Sequence, residues 1–293
     1  MRKRLAPSSA VALVAALACW ALLGTAHANT RAERQRALEG IETFAFALGG
    51  GASRGDLRQR FAGYDLVVVE PDETSKRRVT ELQRQGKVVL AYLSIGTIER
   101  YRFWYRAASK YRLKDRFDEF DEFYARPNKA GYRRLMVRVA RRYLRAKKVD
   151  GLFLDNTDFI EVHPRQKRGL RRLVRLLARL VHGRDKLLFS QNGESTIGPL
   201  LRSYDGWNRE DVSWTFDFDT NRYLRVPPAD RLAAQSALRR IKAAGLLTTS
   251  ADYTARDDAA ALRESVANSC AAGAVPYVSN IHLTRIPRPA PRC

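Results

Sequence analysis

From Ile41 onward the chain alternates short apolar runs with amphipathic segments, and nearly every run ends on a carboxylate, an amide or a hydroxyl. The runs occupy residues 44–48, 64–69, 87–93, 149–154, 186–190, 246–250 and 274–278, and an eighth, sixth in chain order over 204–210, has weak strand character but again ends in a carboxylate. Short, continuously apolar runs suit strands buried on both faces, the condition of a parallel sheet covered by helices. Between them, Leu170, Leu173, Val174, Leu177, Leu180 and Val181 repeat at the spacing of a core-facing helix. Eight such units suggest a single-domain (β/α)8 TIM barrel; a doubly wound open sheet is the other arrangement the alternation allows. In both, polar residues at the carboxyl ends of the strands collect along one edge, where these folds build their sites.

The stretch Val149-Asp150-Gly151-Leu152-Phe153-Leu154-Asp155-Asn156-Thr157-Asp158 concentrates this pattern. Carrying ionised carboxylates to the edge of a core is costly unless something there uses or pairs them. Either acid alone could cap a following helix. The recurrence of polar strand ends at Glu70, Ser94, Asn192, Glu194, Glu210, Asp252 and Asn280 is harder to explain by capping.

Other catalytic groups are scarce. His163, His182 and His282 have no metal-ligand spacing, and no Gly-x-Ser-x-Gly elbow or Gly-Lys-Ser/Thr phosphate loop occurs. The glycines after Leu48 miss the dinucleotide pattern, since Arg54 stands where its third glycine should be. No cofactor and no metal are expected. Two-carboxylate chemistry remains, with glycoside hydrolysis its leading example. Asp155 and Glu210, ending the fourth and sixth runs, would flank a barrel mouth, with Glu70, Asp158, Glu194 and Asp252 as competitors.

Residues 1–28 read as an export signal: Arg2, Lys3 and Arg4, an apolar run over 11–23, and the small-x-small site Ala26-His27-Ala28. A lead-in over 29–40, a barrel domain over 41–285 and a Pro-rich tail over 286–293 follow. The product is expected in the periplasm or outside the cell, as a monomer without a membrane span. Cys270 and Cys293 can pair there and pin the tail, or stay as free or intermolecular thiols. The net charge of +22 invites a polyanion, yet much of it is arginine on polar helix faces, where solvated surface is the plainer reading. No specific nucleic-acid signature accompanies it.

Residues 99–126 are crowded with aromatics (Tyr101, Phe103, Trp104, Tyr105, Tyr111), then with carboxylates (Asp115, Asp118, Glu119, Asp121, Glu122). Read as a long loop, this insertion is either a platform for sugar rings or simply packing.

Five motifs in order carry a resemblance: Ala91-Tyr92-Leu93-Ser94-Ile95-Gly96 with Tyr101-Arg102 and Trp104; Asp150-Gly151 through Leu154-Asp155-Asn156 and Asp158; Asn192-Gly193; Asp205-Gly206 through Glu210; and Asp252-Tyr253. Together they resemble glycoside hydrolase family 114, the endo-α-1,4-polygalactosaminidase-like family of TIM-barrel enzymes. The resemblance implies cleavage of α-1,4-linked galactosamine or N-acetylgalactosamine exopolysaccharide, such as biofilm matrix. It implies Asp155 as nucleophile and Glu210 as acid/base in a retaining mechanism. Tyr92, Ser94, Glu99, Asn156, Asp158, Asn192, Asp252 and Tyr253 would bind the substrate, with Asp158 also orienting the catalytic groups. Gly96-Thr97 stands where many relatives carry Gly-Glu, which puts Glu99 forward as the replacement acid. The alternative is a non-catalytic carbohydrate-binding or cell-envelope protein on the same barrel, and a polyanion binder is a third.

Overall fold

The computed structural model describes residues 30–48 and 54–293; the expected export signal and Gly49, Gly50 and Gly51 lie outside the described residues. Strands β1 (Phe44–Ala47), β2 (Leu66–Val69) and β3 (Val88–Ser94) come first. A three-stranded excursion follows, of β4 (Thr97–Ile98), β5 (Arg112–Phe117) and β6 (Glu122–Ala125). Then come β7 (Gly151–Asp155), β8 (Leu187–Gln191) and β9 (Gly206–Glu210). A hairpin of β10 (Trp214–Asp217) and β11 (Arg222–Arg225) precedes β12 (Leu247–Tyr253) and β13 (Val275–Ser279).

Eight strands pair in parallel in the order β1-β2-β3-β7-β8-β9-β12-β13, with helices between them: a (β/α)8 TIM barrel. The open-sheet alternative is set aside because β13 returns to β1. Among the described residues no backbone ladder joins these two strands, and side chains close the seam. Tyr277 packs edge-on against Phe44 and Phe46, centroids 5.8 and 5.9 Å away, and Phe153 of β7 completes the interior stack.

Helices Ala130–Lys147 and Lys167–His182 show why the outer layer forms. Each turns one apolar stripe inward (Tyr132, Leu135, Met136, Val139; Leu170, Leu173, Val174, Leu177) and keeps arginines outside. The expected lead-in holds a short helix, Arg31–Arg36, capped by Thr30 and Glu33 in reciprocal hydrogen bonds. Arg34 donates to Asp205 at 2.8 Å, and His182 Nε2 lies 2.9 Å from the other carboxylate oxygen. Asp205 sits at the amino-terminal end of its strand. Burial works against its charge, but His182, Arg34 and the Leu188 N–H outweigh it and hold its carboxyl below the ordinary range.

Cys270 and Cys293 form a disulfide, with Cα atoms 5.4 Å apart. Upstream of that bond the tail is fastened to the start of the chain. Tyr64 donates to the Pro287 carbonyl at 2.8 Å and Arg288 to the Gln59 carbonyl at 3.1 Å, while Tyr277 reaches the Arg285 carbonyl at 3.1 Å. The tail therefore runs as a strap across the β13–β1 seam.

Two features depart from the sequence reading. Residues 99–126 are not a long loop but short helical turns together with β5 and β6 of an antiparallel sheet, and the β10–β11 hairpin is a second element absent from the sequence reading. The two excursions meet at their tips, where Phe120 and Phe218 pack edge-on at 5.3 Å. Aromatics of the first excursion largely pack: Trp104 is buried, and Tyr111 lies 6.1 Å from Tyr132. Tyr101, Phe103 and Phe120 are exceptions, Tyr101 the most exposed at 68%.

Candidate active site

Asp155 is the last residue of β7 and Glu210 the last of β9, the fourth and sixth barrel strands. Both keep a partly exposed face at the carboxyl-terminal rim. Immediately beyond these ends the backbone turns left-handed, at Asn156 (φ 55°), Asn192 (φ 49°) and Asp211 (φ 54°). Asn and Asp tolerate this region best among residues with side chains, and such turns hold strand-end side chains inward.

The two carboxylates have different company. Asp155 accepts from the Tyr92 hydroxyl at 2.6 Å, from the Gln191 amide at 3.0 Å and from the Asn156 N–H at 2.6 Å. Burial raises its pKa, and these three donors pull the other way by favouring the anion. Glu210 accepts from the Asn192 amide at 2.8 Å and pairs with the Tyr253 hydroxyl. Burial, Asp155 and Asp211 push its pKa up to about 8. The two carboxyls thus sit close enough to interact, and both are raised above the ordinary range, Asp155 against the pull of its three donors.

Around them lies a supporting layer. Asn156 donates to Ser94 and Thr97, each at 3.0 Å, and those two hydroxyls lie 2.6 Å apart. Gly96 makes room for this turn: a Cβ there would lie 1.8 Å from the Asn156 carbonyl oxygen. Asn192 also accepts from the Glu210 N–H at 3.0 Å, and Trp207 donates to its carbonyl at 2.8 Å. Asp252 is buried and accepts from the N–H groups of Val212 and Ser213, fixing the turn after Glu210. Burial raises Asp252 to about 7, and burial with Asp155 nearby raises Asp158 to about 7.

A second polar nucleus adjoins this one. Arg102, fully buried, donates to Glu99 through Nε (2.5 Å) and Nη2 (2.8 Å), to Glu70 (2.5 Å) and to Asp72 (3.3 Å). Tyr101 donates to Glu99 at 2.7 Å and lies under the Arg102 guanidinium. The β4–β6 register, Thr97 with Tyr124 and Ile98 with Phe123, carried one step further sets Glu99 opposite Glu122. Burial and Glu99 push Glu122 up to about 8, and its Oε2 is buried without a partner among the described residues.

This is a barrel mouth with two interacting carboxyls in different hydrogen-bonding company, with further acids beside them. A family model for the glycoside hydrolases of GH114 matches residues 24–288. The chain belongs to glycoside hydrolase family GH114. It is a glycoside hydrolase. Its fold is similar to the glycoside hydrolase domain of PelA from Pseudomonas aeruginosa, at 23% identity and TM-score 0.71, covering 83% of this chain and 96% of that one. It is also similar to Aspergillus fumigatus Ega3, solved with galactosamine, at 16% identity and TM-score 0.64, covering 83% and 93%. TtGalA, an α-galactosidase from Thermus thermophilus, aligns at 10% identity and TM-score 0.54, covering 82% and 57%. No protein of curated function matches the sequence.

Within this glycoside hydrolase, Asp155, Glu210, Tyr92, Asn156, Asp158 and Asn192 converge on one mouth with part of each exposed. Tyr253 reaches the same point from a buried position. Ser94, Glu99 and Asp252 lie beneath, all buried, with polar atoms already engaged by protein partners. Two residues escaped the sequence reading. Gln191, at the polar end of the fifth run beside Asn192, holds Asp155. Glu122 stood unmarked among five carboxylates, and only the β4–β6 register distinguishes it. Among the described residues no cluster of metal-ligating side chains occurs, and no helix is long and apolar enough to cross a membrane.

Proposed function

We propose that this glycoside hydrolase cleaves α-1,4-linked galactosamine or N-acetylgalactosamine polymers by a retaining mechanism, with Asp155 as nucleophile and Glu210 as acid/base. The observation that carries the assignment is the contrast between the two carboxylates. Asp155 is surrounded by donors that favour the anion a nucleophile must be. Glu210 holds a proton to about pH 8, as a general acid must. In the first half-reaction Asp155 attacks the anomeric carbon while Glu210 protonates the departing oxygen. In the second, Glu210 takes a proton from water, which displaces Asp155. Tyr92 and Asn192 keep the two groups aimed, and Ser94, Glu99 and Asp252 act as buried supports rather than sugar contacts.

The amino sugar is supported by the likeness to PelA and to galactosamine-bound Ega3, and by the acids at the mouth. The net charge of +22 does not oppose this. Much of it is arginine on the outer helices, and charges beyond a Debye length of about 8–10 Å are screened. The basic, then apolar N-terminus and the Cys270–Cys293 disulfide support export to an oxidising compartment.

The test is release of reducing ends from acetylated and deacetylated α-1,4-galactosaminoglycans by the mature protein. Cleavage of neither, with an α-galactoside or other glycan cut instead, overturns the substrate assignment. In the same assay the upper limb of kcat/KM should fall as pH rises through about 8, where Glu210 loses its proton. The lower limb should fall as acid protonates Asp155. A profile still rising above pH 9 would reverse the roles.

A further inference from the structure

The two helices following β3 and β7 pack side by side on the outer wall. Together Ala130–Lys147 and Lys167–His182 carry thirteen arginines and lysines and not one carboxylate. On the first, Arg134, Arg138, Arg141, Arg142 and Arg145 are exposed, at the spacing of one helical stripe; on the second, so are Arg168, Arg172, Arg175 and Arg179. The rows run alongside one another, because Arg133 feels the charge of both Arg134 and Arg172. None of the nine has an ion-pair partner among the described residues, and Arg142 stacks on Phe103 instead. Some exposed basic side chains elsewhere do find acids, as Arg77 finds Glu81 and Arg225 finds Glu264. Uncompensated like charge on neighbouring helices is a standing repulsion.

We propose that this arginine wall is a docking surface for the phosphodiester backbone of duplex DNA, bound without regard to sequence. Arginine forks suit phosphate oxygens. Two parallel rows about 10 Å apart can each follow one of the strands bordering a groove. None of the large exposed apolar side chains lies on either helix, and Phe103, the exposed aromatic beside the wall, has a face covered by Arg142, so the wall offers no row of free aromatics to stack the bases of a single strand. For the same reason it lacks the apolar anchors of a membrane-lying helix. The wall stands outside the strands whose rim bears Asp155 and Glu210, so bound DNA leaves the barrel mouth open. The enzyme would then be retained on DNA within a matrix while it acts on glycan.

The experiment is binding of a 24-base-pair duplex to the mature protein across a salt series, with anionic phospholipid vesicles in parallel. With six to nine phosphates engaged, log K should fall against log salt with a slope of about −5 to −8. Replacing Arg138, Arg141, Arg175 and Arg179 by glutamine should flatten that slope by about 3 to 4 and weaken binding at least tenfold, leaving glycan cleavage unchanged. A control of equal charge change, glutamine at the exposed Arg84, Arg239, Arg240 and Arg263, should lose far less. The proposal is overturned by any of four results: no duplex binding at about 50 mM salt, an unchanged slope in the wall variant, equal loss in the control, or vesicles bound and duplex not.

Discussion

Glu210→Gln and Asp155→Asn should each lower turnover of polymeric substrate by about a thousandfold or more while the fold persists. Both substitutions keep shape and most hydrogen bonds: the new amides can still meet Asn192 and Tyr253, or Tyr92 and Gln191. What they remove is the charge and the exchangeable proton. The two variants should differ on a substrate whose leaving group departs unaided, such as a nitrophenyl glycoside. Glu210→Gln should still form the covalent intermediate there, since no proton need be given, whereas Asp155→Asn should stay inactive. Equal recovery of both, or full activity in either on polymer, rules out the assignment. Unchanged melting temperature in both separates chemical loss from unfolding.

Arg102→Met should destabilise the protein by about 3–5 kcal/mol, the range found when one partner of a buried ion pair is removed. Here the loss is felt by Glu70, Glu99 and Asp72 together, the first two buried. Burial already raises the Glu70 pKa despite Arg102, so without the guanidinium these carboxyls would take up protons or draw in water. The deficit should shrink at acidic pH, where the carboxyls are neutral, and Glu70→Gln with Glu99→Gln should restore much of it. Denaturant unfolding at two pH values decides. A loss under 1 kcal/mol, or one independent of pH, means that the cluster does not hold the rim together. Because Tyr101 leans on both Glu99 and Arg102, the variant should also weaken glycan binding through an exposed residue left unsupported.

Most of the barrel could be read in the sequence because most of its strands are buried on both faces and written as short apolar runs, β9 (Gly-Trp-Asn-Arg-Glu) being the weakest of them. The excursions could not. β5 reads Arg-Leu-Lys-Asp-Arg-Phe and β11 Arg-Tyr-Leu-Arg, with no continuous apolar face, because they lie over the rim. Pairing with a neighbour makes them strands, and pairing partners are not a local property. The same limit hid Glu122, whose inward aim follows from the register with β4. Asp155 and Glu210 were visible because a carboxylate closing an apolar run is costly anywhere but at a site. Asp205 carries the same letters at the opposite end of its strand, where it serves Arg34 and His182. Chain direction, not residue type, separates it from the mouth.

The tail strap has a consequence for how the molecule is made. Its anchors lie 223 and 229 positions from their partners at Tyr64 and Gln59. Contacts between such distant positions form late, since the intervening chain must first be ordered. The seam between β1 and β13 therefore waits for the far end of the polypeptide, and its covalent fastening waits for thiol oxidation, which takes seconds to hours. Through that interval the first and last strands present open edges, the feature most prone to pair with other chains. An oxidising destination shortens the exposure and a reducing one prolongs it, so expression without oxidation should lose product to aggregation before it loses catalysis.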